Sequence, residues 1–477
     1  MEENNFLVKR QNVVSQALQK ALNLSSIDVT SQVPLVAVVC SGGGTRAMCG
    51  TFGGLRALQK LQLLDTVSYI TGISGSTWLC FKTQILHQIL SLVDMWGLAI
   101  EYLIQGKKQM GTLSDQQMAL SKGQNPLPIY TALNMKNALC IEKWCEFTPY
   151  EVGFTKYGVF IPAQTFGSEY YLGHIVKKLP ESGIYTLLVK MCCVCRNMDF
   201  TSYDYNFVME NILLYVQICL IYLPTMKTSY PLSVDTDDKP STSDTLQVSP
   251  MSDLAKKLSN FLTCRPIISQ VFNFLRGFHL HRNYSENCDF TTWKDTHPDA
   301  FPNSLTPADA TLGLVDTAFV IKSGFPPVLC CNRRADVILS LNYAWDPDHF
   351  KVIKQTQEYC AERKIPFPKI DYKKLESEPI REVYVFEDKE NPDVPIVIHF
   401  PLVNVSFKQF KSPGEYQGKA ELEEGDFDID FTSMFCPFAT HNLTYQPEDF
   451  QKLTNLTTYN ILNNTDKLKL TAGATGE

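Results

Sequence analysis

Two short glycine turns hold the residues of this 477-residue chain that could do chemistry together. The first is Ser41-Gly42-Gly43-Gly44-Thr45-Arg46. Consecutive glycines let backbone N–H groups approach an oxygen closely, which suits an oxyanion or a phosphate. No Gly-Lys-Ser/Thr follows, so the turn is not a P-loop. Gly50 falls too far from Gly42 for a dinucleotide fingerprint. Arg46 lies on the first helical turn after the glycines, where its guanidinium can face a phosphate or an oxyanion; a surface arginine is the plain alternative. The second turn is Gly72-Ile73-Ser74-Gly75-Ser76. A nucleophilic serine must stand clear of the backbone, and a sharp strand-to-helix turn between small residues presents it so. Ser76 departs from the G-x-S-x-G pattern, and taken alone the stretch reads first as an ordinary turn.

The pair says more than either turn. One helix and one strand separate Arg46 from Ser74, the crossover length of neighbouring parallel strands. That spacing brings donors and nucleophile to one sheet edge and favours a serine hydrolase. The base is less marked. None of the eight histidines lies in a recognisable setting, and His399, within an apolar strand, reads as a core histidine. A lone carboxylate bonded to the serine can serve instead. Asp316, closing Gly313-Leu314-Val315-Asp316, is placed for that, although a turn aspartate would look the same.

Those turns need elements to hold them. Residues 11–22 have helical spacing. Pro34–Cys40 is a short apolar run of the buried parallel-strand type. Arg46–Leu64 is helical, Val67–Thr71 is a second strand, and a long helix follows Ser76. Further strands are expected at 315–321, 336–341 and 396–400. Repeated strand–turn–helix units predict an α/β fold with a mostly parallel sheet.

Composition narrows the function. Hydrophobic residues make up 44% and charged residues 19%, with 43 Lys and Arg against 50 Asp and Glu, a net charge of −7. That excludes a basic nucleic-acid footprint. The 15 cysteines follow no framework, which predicts reduced thiols, and Cys192-Cys193-Val194-Cys195 lacks the second half of a zinc site. Asp235, Asp237 and Asp238 lack the glycine and distal glutamate of a calcium loop. Ile212–Leu223 is too short to span a bilayer; the apolar stretch 206–224 predicts an interfacial or buried helix.

Ser41–Ala47 followed by Gly72–Trp78 closely resembles the catalytic domain of the group IV cytosolic phospholipases A2. Trp144–Gly153, Phe166–Ser168, Ile365–Pro368 and His399–Leu402 are similar to the same family. The resemblance runs from about residue 30 to about residue 465 and is weakest over 185–300. A start close to the catalytic core, with no calcium-dependent C2 module ahead of it, is most like the gamma member, without that protein's prenylation box.

The resemblance implies an α/β, patatin/cytosolic-phospholipase-like hydrolase core with a mostly parallel sheet and an inserted cap. One catalytic domain is expected over 1–477, with the cap at about 170–305 and a disordered loop at 229–253. It implies Ser74 as nucleophile, Asp316 as its base without histidine, the Gly43 and Gly44 amides as oxyanion hole, and Arg46 as a substrate phosphate or transition-state contact. The implied activity is calcium-independent hydrolysis of the sn-2 ester of membrane glycerophospholipids through an acyl-serine. Lysophospholipase and transacylase action share that intermediate. No metal or cofactor and no nucleic acid is expected, and the sequence points to no particular protein partner. The expected partner is a glycerophospholipid membrane surface, met from the cytosol. A catalytically weak lipid-binding relative and a patatin-like lipase are the alternatives. Asp316-Thr317-Ala318, Asn342 and the Met191–Cys195 run depart from the family pattern.

Overall fold

Strand β1 (Val36–Cys40) is buried along its whole length, and its side chains divide between two cores. Val36, Val38 and Cys40 enter one hydrophobic cluster, and Ala37 and Val39 enter the other. Covering on both faces is why the strand is continuously apolar. The computed structural model describes residues 2–22, 33–80, 111–134, 144–155, 158–183, 269–277, 310–317, 320–416, 425, 427, 429, 436–440, 442 and 445–474.

In chain order the main elements are α1 (Glu2–Leu22), β1, α2 (Gly44–Lys60), β2 (Val67–Gly72), β3 (Leu127–Asn134), β4 (Trp144–Phe147), β5 (Glu151–Phe154), β6 (Val159–Pro162), β7 (Glu169–Tyr171), β8 (His174–Lys177), β9 (Ser269–Phe272), β10 (Thr311–Asp316), β11 (Val337–Leu341), α3 (Lys351–Arg363), β12 (Tyr384–Phe386), β13 (Ile396–Phe400), α4 (Pro447–Leu462) and α5 (Thr465–Ala474). The central sheet runs β12-β13-β11-β1-β2-β3-β4-β5-β6, with β10 beside β3 and β9 beside β10. Its centre, β13-β11-β1-β2-β3, is parallel. An antiparallel wing continues from β3 through β6. On one face α2, α4 and α5 supply Ala57, Leu58, Leu453, Leu456 and Leu468. On the other, α1 and α3 supply Phe6, Val352 and Ile353. The architecture is the expected α/β hydrolase-like core.

Helix α1 is longer than its apolar spacing indicates. Phe6, Val14 and Leu18 share its buried stripe with Arg10, whose charge hides the period. Glu2 and Glu3 lie in its first turn, where acidic charge suits the helix dipole. Arg10 donates to the carbonyls of Val67, Gly123, Leu64 and Asp65. Arg333 grips both carboxylate oxygens of Glu3 at 2.6 and 2.9 Å and also bonds Glu146. Burial pushes the Glu3 carboxyl up, but Arg333 outweighs it and leaves the group below its ordinary value.

The strand expected at 315–321 lies earlier, at Thr311–Asp316. After Asp316 the Thr317 carbonyl accepts from the Val320 and Ile321 amides, so the chain turns there and the strand ends. Within the expected cap, β9 belongs to the central sheet through β10. Ser74–Cys80 is a short 3-10 helix; the rest of the long helix expected after Ser76, the 206–224 helix, the 229–253 loop, Cys192–Cys195 and Ala318 lie outside the described residues.

Candidate active site

The site is assembled where β1 and β2 end. Parallel pairing of the two strands puts both glycine turns on one edge of the sheet. A Cβ added to Gly42 would lie 3.1 Å from Ser74 Cβ, and one added to Gly75 would lie 1.9 Å from the Gly44 carbonyl oxygen. Glycine is therefore required for the two turns to touch. Ser74 itself has φ of 50°, a left-handed conformation uncommon for a side-chain-bearing residue. Such strain is the mark of a serine lifted out of a strand-to-helix turn.

Ser76 explains its own departure from G-x-S-x-G. Its hydroxyl accepts from the Ile73 amide at 3.0 Å and donates to the Ile73 carbonyl at 2.8 Å. Thr77 Oγ1 donates to the Ser74 carbonyl at 2.5 Å. The turn is thus tied by side chains on its far side.

The glycine loop is held in a different way. Gly42 donates its amide to the Lys322 carbonyl at 3.1 Å. Gly43 has φ of 151° and Gly44 φ of 59°, and α2 begins with no side-chain cap. Uncapped first-turn amides, with the positive end of the helix dipole behind them, can stabilise an oxyanion.

Register places Asp316. Gly72 lies opposite Tyr130 on β3, and Asp316 lies opposite Ala132 on the same strand. Because β4 occupies the other edge of β3 there, β2 and β10 are in line on one edge and run head-on. Their carboxyl ends are two β3 residues apart, about 7 Å along the strand. Asp316 is buried at that junction. The chain after it closes the gap: Thr71 Oγ1 donates to the Gly324 carbonyl at 2.7 Å, and Ser323 bridges Ser41. Ser74, Gly43, Gly44 and Asp316 therefore lie at the same end of the parallel sheet, on three chain segments.

Arg46 is buried and bonded to protein groups. Its guanidinium is 1% exposed. Nε donates to the Tyr343 carbonyl at 2.8 Å, Nη1 to the Phe438 carbonyl at 2.6 Å and Nη2 to Thr440 Oγ1 at 3.1 Å. It also stacks 4.7 Å from the Trp345 ring centre. Burial pulls its pKa down to about 10, still far above neutrality. Arg46 thus clamps the 343–345 and 436–440 segments onto the glycine loop. Sequence reasoning missed Tyr343, Trp345 and Thr440. One usable signal was Gly50, Gly53 and Gly54 on α2: a Cβ on Gly50 would lie 2.4 Å from the Tyr343 ring, and one on Gly53 2.1 Å from Thr457 Oγ1.

His399 is a satisfied core residue. Its Nε2 faces the His349 carbonyl and must donate, so Nδ1 accepts from Ser340 Oγ, each at 3.0 Å. Burial holds its pKa down to about 4. Among the described residues no group of three or more His, Cys, Asp or Glu is arranged to hold a metal ion. No helix among them is long and apolar enough to cross a membrane.

A family model described as lysophospholipase catalytic domain matches residues 36–86 and 83–188. Human cytosolic phospholipase A2 zeta is 40% identical over 521 aligned positions, covering 98% of this chain and 60% of that protein. Human cytosolic phospholipase A2 epsilon is 37% identical, covering 98% and 58%. The solved structure of human GIVD cytosolic phospholipase A2 matches with a TM-score of 0.80 at 33% identity, covering 100% of this chain and 67% of that one. The same human protein in complex with methyl gamma-linolenyl fluorophosphonate matches with a TM-score of 0.73 at 29% identity, covering 64% of that chain. This chain spans about three fifths of the length of the curated relatives named here.

Proposed function

Because the chain belongs to the cytosolic phospholipase A2 family, we propose that it hydrolyses the sn-2 acyl ester of glycerophospholipids on a Ser74–Asp316 dyad. The observation that carries this reading is the head-on meeting of β2 and β10 beside the glycine loop. Asp316 takes the proton of Ser74 Oγ as that oxygen attacks the ester carbonyl. The Gly43 and Gly44 amides receive the resulting oxyanion. Collapse expels the lysophospholipid oxygen, which takes the proton from Asp316. Water, deprotonated by Asp316, then attacks the acyl-Ser74 ester, and the fatty acid leaves as Ser74 Oγ recovers its proton from Asp316. The same acyl-enzyme serves lysophospholipase action, and a lipid hydroxyl in place of water gives transacylation.

Arg46 acts in this scheme by holding the loop that carries Gly43 and Gly44. Both the proton transfers and the charge stabilisation have protein groups to perform them, so hydrolysis is calcium-independent in this reading. The protein works from the cytosol, peripherally on membranes.

A fluorophosphonate probe tests the core of the proposal. The wild type should be labelled, Ser74→Ala should not, and sn-2-labelled phospholipid should be cleaved equally with and without a calcium chelator. No labelling of the wild type would leave a lipid-binding protein without turnover.

A further inference from the structure

The hairpin of β7 and β8 is anchored from within and unusually apolar outside. Tyr170 is buried in the cluster of the antiparallel wing with Phe166, Phe274 and Leu275, and its hydroxyl donates to Thr165 Oγ1 at 2.6 Å. The Leu172 amide donates to the Arg276 carbonyl at 2.8 Å, and the Gly277 backbone packs against Tyr171 and Leu172. Every residue from Tyr171 to Lys178 is nevertheless exposed. Tyr171 is 51% exposed, Leu172 49%, Ile175 41% and Val176 65%.

The tip breaks a folding rule. Leu172 has φ of 50° and Gly173 φ of 77°, the two left-handed residues of a type I′ turn. Asparagine or glycine is favoured at the first position, and a bulky residue there is strained. An exposed leucine in that place serves neither the turn nor a core. Basic groups flank it: His174, Lys177 and Lys178 on the exposed strip, with Arg276 beside it 3.5 Å from Glu169.

Placement supplies the partner. β3 runs in the direction of β1 and β2, and β10 extends beyond its end. Phe272 pairs with Thr311 at the far end of β10, and the turn after it touches the hairpin. The hairpin therefore lies on the same side of the parallel sheet as Ser74. The five residue steps from Thr311 to Asp316 span about 17 Å.

We propose that Tyr171, Leu172, Ile175 and Val176, with Lys177 and Lys178, dock the protein on the surface of an anionic phospholipid bilayer. The inference rests on the phospholipase reading and adds the surface by which lipid is met. Aliphatic side chains enter the acyl boundary, Tyr171 sits at headgroup level and the lysines meet acidic lipid.

The full chain is compared with Leu172→Asn/Ile175→Ser/Val176→Ser and with Lys177→Gln/Lys178→Gln. Asparagine suits the turn, so the triple variant keeps the hairpin. Co-sedimentation is measured with phosphatidylcholine vesicles with and without phosphatidylserine, and fluorophosphonate labelling is measured without vesicles. The triple variant should lose about tenfold or more in partition to both vesicle types. The lysine variant should lose about fivefold per lysine, and only with phosphatidylserine. Labelling should be unchanged in both. Wild-type partition retained by the triple variant, no partition by the wild type, or a parallel loss of labelling would overturn the docking assignment. Hairpin-dependent partition in a protein that is never labelled would sustain this surface and overturn the phospholipase reading instead.

Discussion

Replacing Arg46 by lysine separates two roles that one cation could play. In the structure three donors on three different nitrogens of the guanidinium reach the Tyr343 carbonyl, the Phe438 carbonyl and Thr440 Oγ1. A lysine has one nitrogen and cannot span all three. Charged hydrogen bonds contribute about 1.5–3 kcal/mol each, so losing two weakens the clamp by roughly 3–6 kcal/mol before relaxation. Water entry at Thr440 would recover part, and about 3 kcal/mol of net destabilisation is expected. A loosened glycine loop displaces the Gly43 and Gly44 amides. Losing such a donor costs about 10²–10³-fold in rate. The assay compares Arg46→Lys with wild type on a phospholipid and on a phosphate-free p-nitrophenyl ester, alongside amide hydrogen exchange at 42–46 and 436–440. Both substrates should slow alike, and exchange should rise in both segments. Exchange protection that stays intact, with loss confined to the phospholipid, would refute the clamp and restore Arg46 as a phosphate contact.

Ser74→Ala and Asp316→Asn should each lower ester hydrolysis by about a thousandfold or more, and the double variant should be little worse than either, since the pair acts as a unit; ordinary turnover by Asp316→Asn would send the search for a base back to the histidines. Gly75→Ala should reduce fluorophosphonate labelling by about a hundredfold, because its Cβ would lie 1.9 Å from the Gly44 carbonyl oxygen and must move the two turns apart. Folding should weaken in acid through His399: its folded pKa of about 4 lies below the unfolded value, so unfolded chains bind the extra proton between the two. That gives about 3 kcal/mol of stability present above pH ~6.5 and lost progressively toward pH ~4. Urea midpoints across that range should show the slope in wild type and a shallower one in His399→Asn.

The readable features were the local ones. A continuous apolar run followed at once by glycines marks β1 and its turn within a dozen residues, and a short run of strand formers ending at Gly72 marks β2 and Ser74. The role of Arg46 could not be read in this way, because its partners Tyr343, Phe438 and Thr440 lie 297, 392 and 394 residues away. Arg10 misled for another reason: a guanidinium whose partners are carbonyls leaves no charged counterpart in the sequence, so it interrupts the helical stripe it belongs to. At β10 the apolar residues after Asp316 look like strand, and only the turn at Thr317 decides otherwise. Leu172 carried no signal at all until its φ was known.

The fastening of α1 also sets a timetable for biosynthesis. Arg10 finds its carbonyls within 113 residues, so the helix can be seated well before Arg333 is made. Glu3 must wait for Arg333, 330 residues later. At about 5–20 residues per second that interval is roughly 15–65 s. Once made, Tyr69, which donates to Glu3 at 2.8 Å, and Glu146 wait for the same guanidinium. The back of the sheet beneath the serine turn is therefore completed late, and a ribosome stalled before residue 333 would hold a nascent chain with its first helix docked and its acidic end unanswered.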